Sequence, residues 1–356
     1  MDIWNYMLPL SGLLAGILLG YVARRNFFCT LSALESHWYG NNSTGLRTWV
    51  LAAICAAFFT QILIYFDMVD ISQSFYLTPN FSWLGAIIGG LSFGFGMAFV
   101  GTCGFGALVR LGGGSLKSFI ALLILGITAL SAQRGLLGFS RAGFTDNFQL
   151  GLFGAENQSI PEIVNKFSGL DISLFTTLIL LAIPLHWVLK DAKFRTEIKG
   201  YVTAVTIGMI CAFGWYVTSH ASQVSFENVQ IESMSFVTPV GDTLFQFATF
   251  TGVGPDYGVG LIFGVVIGAT IAARSADNVT WEACDDAREL GRHLLGAAMM
   301  GFGGVLALGC TIGQGISAAS LLTISAPITM LSIGLGAKMG LAWLLEGSIK
   351  PAFSFR

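Results

Sequence analysis

The sequence predicts an all-α integral membrane protein of about nine transmembrane helices, arranged as two inverted-topology halves with re-entrant broken helices. Three observations carry this reading. Apolar residues make up 54% of the 356-residue chain, charged residues only 11%, and the mean hydropathy is +0.72, whereas soluble domains carry about 25% charged residues. Several apolar runs reach the length of about 20 residues that crosses a bilayer. A short pattern also occurs twice, 207 residues apart. Its first copy is Gly94-Phe95-Gly96, six residues, Cys103, two residues, Gly106; its second is Gly301-Phe302-Gly303, six residues, Cys310, two residues, Gly313.

Taken in order, the expected spans are 8–24, 46–66, 83–100, 116–132, 171–189, 200–217, 257–273, 294–309 and 327–345. The first has no positive residue ahead of it, and Arg24 and Arg25 follow it, so it reads as a retained helix and not a cleaved signal. The cysteine–glycine motifs close the third and eighth spans, each followed by a glycine-rich piece too short to cross. Irregular backbone at membrane depth survives only inside protein or beside a polar cavity, so both pieces read as re-entrant. The chain is then one transporter domain, with pseudo-repeat halves at about 8–132 and 200–345 linked by 133–199. The 45 glycines suit both close helix approach and broken helices.

Lysine and arginine placement gives the expected orientation. Lys190, Lys193, Arg195 and Lys199 crowd one loop, while 67–82 and 218–256 hold none. The first loop is expected inside and the other two outside. The N-terminus then lies outside and the C-terminus in the cytoplasm, with Arg134, Arg141 and Lys166 of 133–169 against the trend. In this frame the third span runs inward and the eighth outward, so the matching motifs have opposite orientation, as in an inverted repeat. Gly16-x3-Gly20 ahead of Ala23-Arg24 and Gly264-x3-Gly268 ahead of Ala273-Arg274 read as a further pair of repeat marks.

Several function classes find no support. A net charge of −2 with no basic patch gives no reason to expect nucleic acid. Six cysteines without CxxC, and four scattered histidines, give no metal site and no thioredoxin-like pair. No GxxxxGK[ST] string points to an ATPase. No cofactor and no enzymatic activity are expected.

The string Ala23-Arg24-Arg25-Asn26-Phe27-Phe28-Cys29, together with GTCGFGALVRLGGG and GCTIGQG, closely resembles the YeeE/YedE sulfur-transport family of bacterial inner-membrane proteins. That family carries a basic-x-x-Phe-Cys signature after its first helix and one Gly/Cys/Gly motif in each half. The resemblance implies a permease for thiosulfate or a related inorganic sulfur anion, with Cys29, Cys103 and Cys310 forming the path. It also implies a small cytoplasmic sulfur-carrier protein as partner. The first motif trails into Gly112-Gly113-Gly114, where the family often has an acidic residue. Val279 or a neighbour stands where a second-half counterpart of Cys29 is expected, which makes the path asymmetric.

The chemistry of these residues suits such a cargo. A dianion cannot enter apolar protein unless its charge is met. A thiolate would repel it, but a cysteine in apolar surroundings stays a neutral thiol, and its weak S–H donor binds loosely enough to release. Gly101, Gly104, Gly106, Gly309, Gly313 and Gly315 are candidates to present free backbone N–H groups or helix N-termini to the anion. Gln314 is a further candidate donor. Arg110, seven residues after Cys103, either holds the anion or snorkels at the cytoplasmic face; the sequence leaves both open. Cys55 and Cys211 read as small buried hydrophobes, and Cys284 as an incidental loop residue. A thiol-oxidoreductase, or a pore for selenium species or another small solute, stands as the alternative function.

Overall fold

Fifteen α-helices account for most of the computed structural model, which describes residues 4–145, 148–151, 155–225, 229–252 and 254–353. In chain order they are α1 (Trp4–Arg25), α2 (Thr30–Trp38), α3 (Thr44–Tyr65), α4 (Gly90–Val100, continuing a π-helical turn Gly85–Gly89), α5 (Gly104–Gly112) and α6 (Leu116–Arg134). Then come α7 (Leu137–Phe144), α8 (Ile160–Ser168), α9 (Ser173–Leu189) and α10 (Ala192–Arg195). The rest are α11 (Ile198–Val224), α12 (Thr238–Ala248), α13 (Tyr257–Ser275), α14 (Ala287–Leu306) and α15 (Ser325–Glu346), with a π-helical piece Gly313–Ala318 ahead of α15. A two-stranded antiparallel ribbon pairs Asn80–Phe81 with Leu150–Gly151.

Among the described residues, seven helical runs are long and apolar enough to cross a membrane: α1 with α2, α3, α4 with α5, α6, α11, α13 and α15. The two other expected spans are helices as well. The apolar α9 has 17 residues, and α14 has 20 residues with Arg288, Glu289 and Arg292 in its first turns. All nine expected segments are therefore helical. The stretch 218–256, expected as a loop, is largely built: α11 runs on to Val224, and 229–237 leads into α12 with Ser233, Met234, Ser235, Phe236 and Val237 all buried.

Glycine decides how the helices meet. A Cβ on Gly264 would lie 2.3 Å from the Leu13 carbonyl oxygen and 2.8 Å from the Gly16 Cα. No side chain fits there, so α1 and α13 touch backbone to backbone. Gly12 faces Tyr257 and Gly20 faces Val265, so the two helices run parallel. In the same way Gly200 faces Thr48 and Gly208 faces Cys55, making α11 and α3 a second parallel pair. Gly89 faces Gly303 while Gly96 faces Gly296, so α4 and α14 cross antiparallel. Gly90 near Thr329 and Gly94 near Ile333 place α15 parallel to α4.

The pairs α1–α13, α3–α11 and α4–α15 are thus parallel, and the pair α4–α14 antiparallel. These directions correct one expectation. The glycine stripes of α1 and α13 are packing partners with the same direction, not mates across the repeat. Val279 lies in an exposed loop after α13.

Candidate functional site

Each of the three implicated cysteines follows a helix that ends in the left-handed region. Phe27 (φ 54°) precedes Cys29 by two residues, Gly101 (φ 77°) precedes Cys103, and Leu308 (φ 54°) precedes Cys310. The helix is interrupted there, and the cysteine starts a short helix. Cys29 stands at the N-cap of α2 and Cys103 at the N-cap of α5, both extended. Glycine suits Gly101 because a side chain at φ 77° would be strained, whereas Phe27 and Leu308 accept that strain beside the site.

In two of the three the thiol itself caps the new helix. The Gly106 N–H donates to Cys103 Sγ at 3.5 Å, and the Gly313 N–H donates to Cys310 Sγ at 3.3 Å. The motif spacing of two residues between cysteine and glycine is thus the spacing of an N-cap to its third helical residue. With sulfur accepting from backbone, the thiol proton is free to donate elsewhere. Cys103 and Cys310 are 1% and 0% exposed. Cys29 is half-buried and makes no capping bond.

The two capped ends come together. Cys103 interacts electrostatically with both Cys29 and Cys310, and Thr311, next to Cys310, lies beside the Cys103 thiol. The thiol-capped N-termini of α5 and of the piece Gly313–Ala318 are thus neighbours, each with partial positive charge. Around them lie buried polar atoms with no hydrogen-bond partner: Thr102 Oγ1, Thr311 Oγ1, Tyr76 Oη and Gln314 Oε1. Unpaired buried polar groups are costly, and their gathering here marks a place built to receive something polar.

The candidate glycines separate by what they face. Gly309 and Gly313 face Tyr76 Oη, which would lie 3.3 Å and 2.8 Å from a Cβ there, and Gly313 also faces Ser235 Oγ at 3.2 Å. Gly104 faces the Phe236 carbonyl, and Gly106 faces Thr102 Oγ1. Gly101 offers its carbonyl to Arg110 Nη2 at 2.9 Å. Gly315 stands apart, against the Trp49 ring of α3. Gln314 directs its amide N–H groups to the carbonyls of Ala307 and Leu308 at 2.8 Å and 3.3 Å, closing the end of α14.

Sequence reasoning missed Tyr76, Ser235 and Phe236. Tyr76 sits in a single 3-10 turn, Phe75–Leu77, its ring tilted against that of Phe75 with centroids 4.0 Å apart; Phe236 packs with its ring 4.8 Å from that of Phe105 of α5. Neither belongs to a motif. Thr102 and Thr311 were missed as well, although each is a hydroxyl residue directly beside a motif cysteine. Cys211, read as a plain hydrophobe, instead touches the hydroxyls of Ser233, Ser317 and Ser320 at 3.5–3.9 Å. Those hydroxyls support the Gly313–Ala318 piece from behind, through Ser317 Oγ donating to the Met234 carbonyl at 2.7 Å. No group of three or more His, Cys, Asp or Glu side chains suited to a metal ion occurs among the described residues.

A profile of the sulphur transport family matches residues 25–339. The thiosulfate transporter TsuA of Escherichia coli (strain K12) is 26% identical over 352 residues, covering 93% of this chain and 93% of that protein. The thiosulfate transporter TsuA of Spirochaeta thermophila is 24% identical over 343 residues, covering 94% of this chain and 98% of that protein.

Proposed function

Since the chain belongs to the sulphur transport family, we propose that it is a permease carrying thiosulfate, or a closely related inorganic sulfur anion, through a path formed by Cys29, Cys103 and Cys310. The observation that carries this reading is the meeting of two thiol-capped helix N-termini among unpaired buried hydroxyls. Such an arrangement offers partial positive charge and weak donors without a fixed full charge. An anion is admitted and let go. Thiosulfate presents a soft terminal sulfur to a thiol and oxygens to hydroxyls or backbone N–H groups, and both kinds of donor are present. Gly101, Gly104, Gly106, Gly309 and Gly313 shape the cradle, and Gln314 fixes the α14 end beside it. The reading involves no catalytic step.

The chain is one domain with halves at about 8–132 and 200–345. Its place is the bacterial inner membrane, N-terminus outside and C-terminus in the cytoplasm. Charge pairing supports that orientation: Arg134, expected outside, is neutralised by Asp242 at 3.4 Å and covers the Phe245 ring. A small cytoplasmic sulfur-carrier protein receives the cargo, and affinity purification from membranes tests for it. The function itself is tested by uptake of labelled thiosulfate into liposomes containing the purified protein, with selenite and sulfide as competitors. Saturable uptake blocked by excess thiosulfate is expected. Equal or better transport of selenite or sulfide would replace the substrate assignment.

A further inference from the structure

A second polar space lies at the other end of α5. It is a cavity of about 330 Å3 whose wall includes Arg24, Arg110, Ser115, Lys117 and Glu282. Arg24 comes from the last turn of α1, Arg110 from the last turn of α5, and Lys117 from the first turn of α6. The loop after α13 closes one side: the Thr280 N–H donates to the Gly113 carbonyl at 3.0 Å, and the Leu116 N–H to the Glu282 carbonyl at 2.8 Å. Arg24 lies across Gly113, with guanidinium atoms 2.6–2.9 Å from where a Cβ would stand.

The charges in this cavity do not cancel. Lys117 is engaged by Glu282 and Glu289, both at 3.6 Å. Neither Arg24 nor Arg110 has a carboxylate partner among the described residues; Arg24 Nη2 donates to the Asn278 carbonyl at 3.0 Å, and Arg110 Nη2 to the Gly101 carbonyl at 2.9 Å. A guanidinium has five N–H donors, so most stay available. Two forked cations facing one space suit a doubly charged oxyanion, whose paired oxygens accept bidentate bonds.

Position links this cavity to the thiols. The nine residues of α5 span about 13 Å, with Cys103 capping one end and the cavity at the other. The C-terminal end of a helix carries partial negative charge, which opposes an anion leaving in that direction, and the arginines offset it. Arg110 also reaches back to Gly101, two residues before Cys103, and so stands between the two places. We propose that Arg24 and Arg110 form a second anion site, a release vestibule for a small divalent oxyanion after it has passed the thiols. This rests on the permease reading for the direction of travel. Binding of the anion does not depend on that reading.

The test uses sulfate, a divalent oxyanion without a soft terminal sulfur, titrated calorimetrically into the full-length protein in nanodiscs of neutral phosphatidylcholine. Wild type and Arg25→Gln, whose arginine is outside the cavity wall, should bind alike. Arg24→Gln should bind about tenfold or more weakly, the loss of a charged hydrogen-bond pair, and Arg24→Lys should recover part of it. Gly113→Ala keeps every charge but drives a methyl into the Arg24 guanidinium, and should weaken binding as well. In liposomes, Arg24→Gln should lower the maximal rate of thiosulfate uptake with little change in KM. Sulfate binding by Arg24→Gln and Gly113→Ala equal to wild type overturns the site. If phosphatidylglycerol abolishes sulfate binding through Arg24, the occupant is a lipid headgroup and the release role is overturned. Failure of wild type to take up thiosulfate, with Arg24-dependent sulfate binding intact, instead defeats the permease reading alone.

Discussion

Replacing Cys103 by serine should separate what the residue does for the fold from what it does for the cargo. The side chain accepts from the Gly106 N–H at 3.5 Å, a long contact that sulfur makes weakly. Serine is among the best N-cap residues, worth about 1 kcal/mol over alanine, so Cys103→Ser should keep α5 capped at least as well as wild type. Cys103→Ala should lose the cap, lowering the melting temperature by about 2 °C or less in a chain of this size. Transport should rank differently. A hydrogen bond to a charged group contributes about 1.5–3 kcal/mol, and a thiol donor lies at the low end. Its loss in the alanine variant should therefore weaken thiosulfate binding about tenfold. Serine offers a donor, but a strongly hydrated one with no affinity for soft sulfur, and its hydroxyl can instead bond nearby backbone. Serine should accordingly match or exceed wild type in thermal stability while transporting about as poorly as alanine. The assays are tryptophan-fluorescence melting in detergent and labelled thiosulfate uptake into liposomes at matched protein density. Wild-type uptake by Cys103→Ser would refute the sulfur-specific account. A serine variant that transports poorly and also melts well below wild type would refute the capping account.

Gly313→Ala should cut uptake about tenfold with the fold kept, because its methyl would stand 2.8 Å from Tyr76 Oη and 3.2 Å from Ser235 Oγ and fill polar space at the thiols. Uptake measured against protein recovered from membranes checks this, and undiminished uptake would remove Gly313 from the path. Cys55→Ala should leave transport within about twofold of wild type, since burying a small side chain differently costs stability and not function; a loss comparable to Cys310→Ala would contradict it. Gly264→Val should destabilise by about 1–3 kcal/mol, because the α1–α13 crossing offers only backbone 2.3–2.9 Å from its Cβ. Thermal melting reads that loss. Reporter fusions after Lys193 and within 67–74 should give cytoplasmic and external signals respectively, and the reverse pattern would overturn the orientation.

All nine expected segments as helices, seven of them long and apolar enough to cross a membrane, and the cysteines at the two breaks were readable along the chain, because each depends on neighbours in sequence. Apolar length specifies a span wherever it occurs, and a cysteine three residues before a glycine caps the helix that the glycine joins. Contacts between distant segments left no such mark. Gly16 and Gly264 looked like equivalent marks in two halves, yet 248 positions of chain bring them face to face. Periodicity shows that a helix has a glycine stripe but not which helix fills it. Tyr76 and Ser235 come from segments without motif or period, so only folding could show that their hydroxyls stand over Gly309 and Gly313. Arg24 gave no sign in sequence of which acids, if any, would pair with it. Its lack of a carboxylate partner among the described residues depends on where Glu282 and Glu289 lie, and both engage Lys117. Local pattern determined the elements and the thiols; the polar surroundings that give those thiols a use were decided by tertiary packing, because hydrogen bonds and charges are satisfied through space and not along the chain.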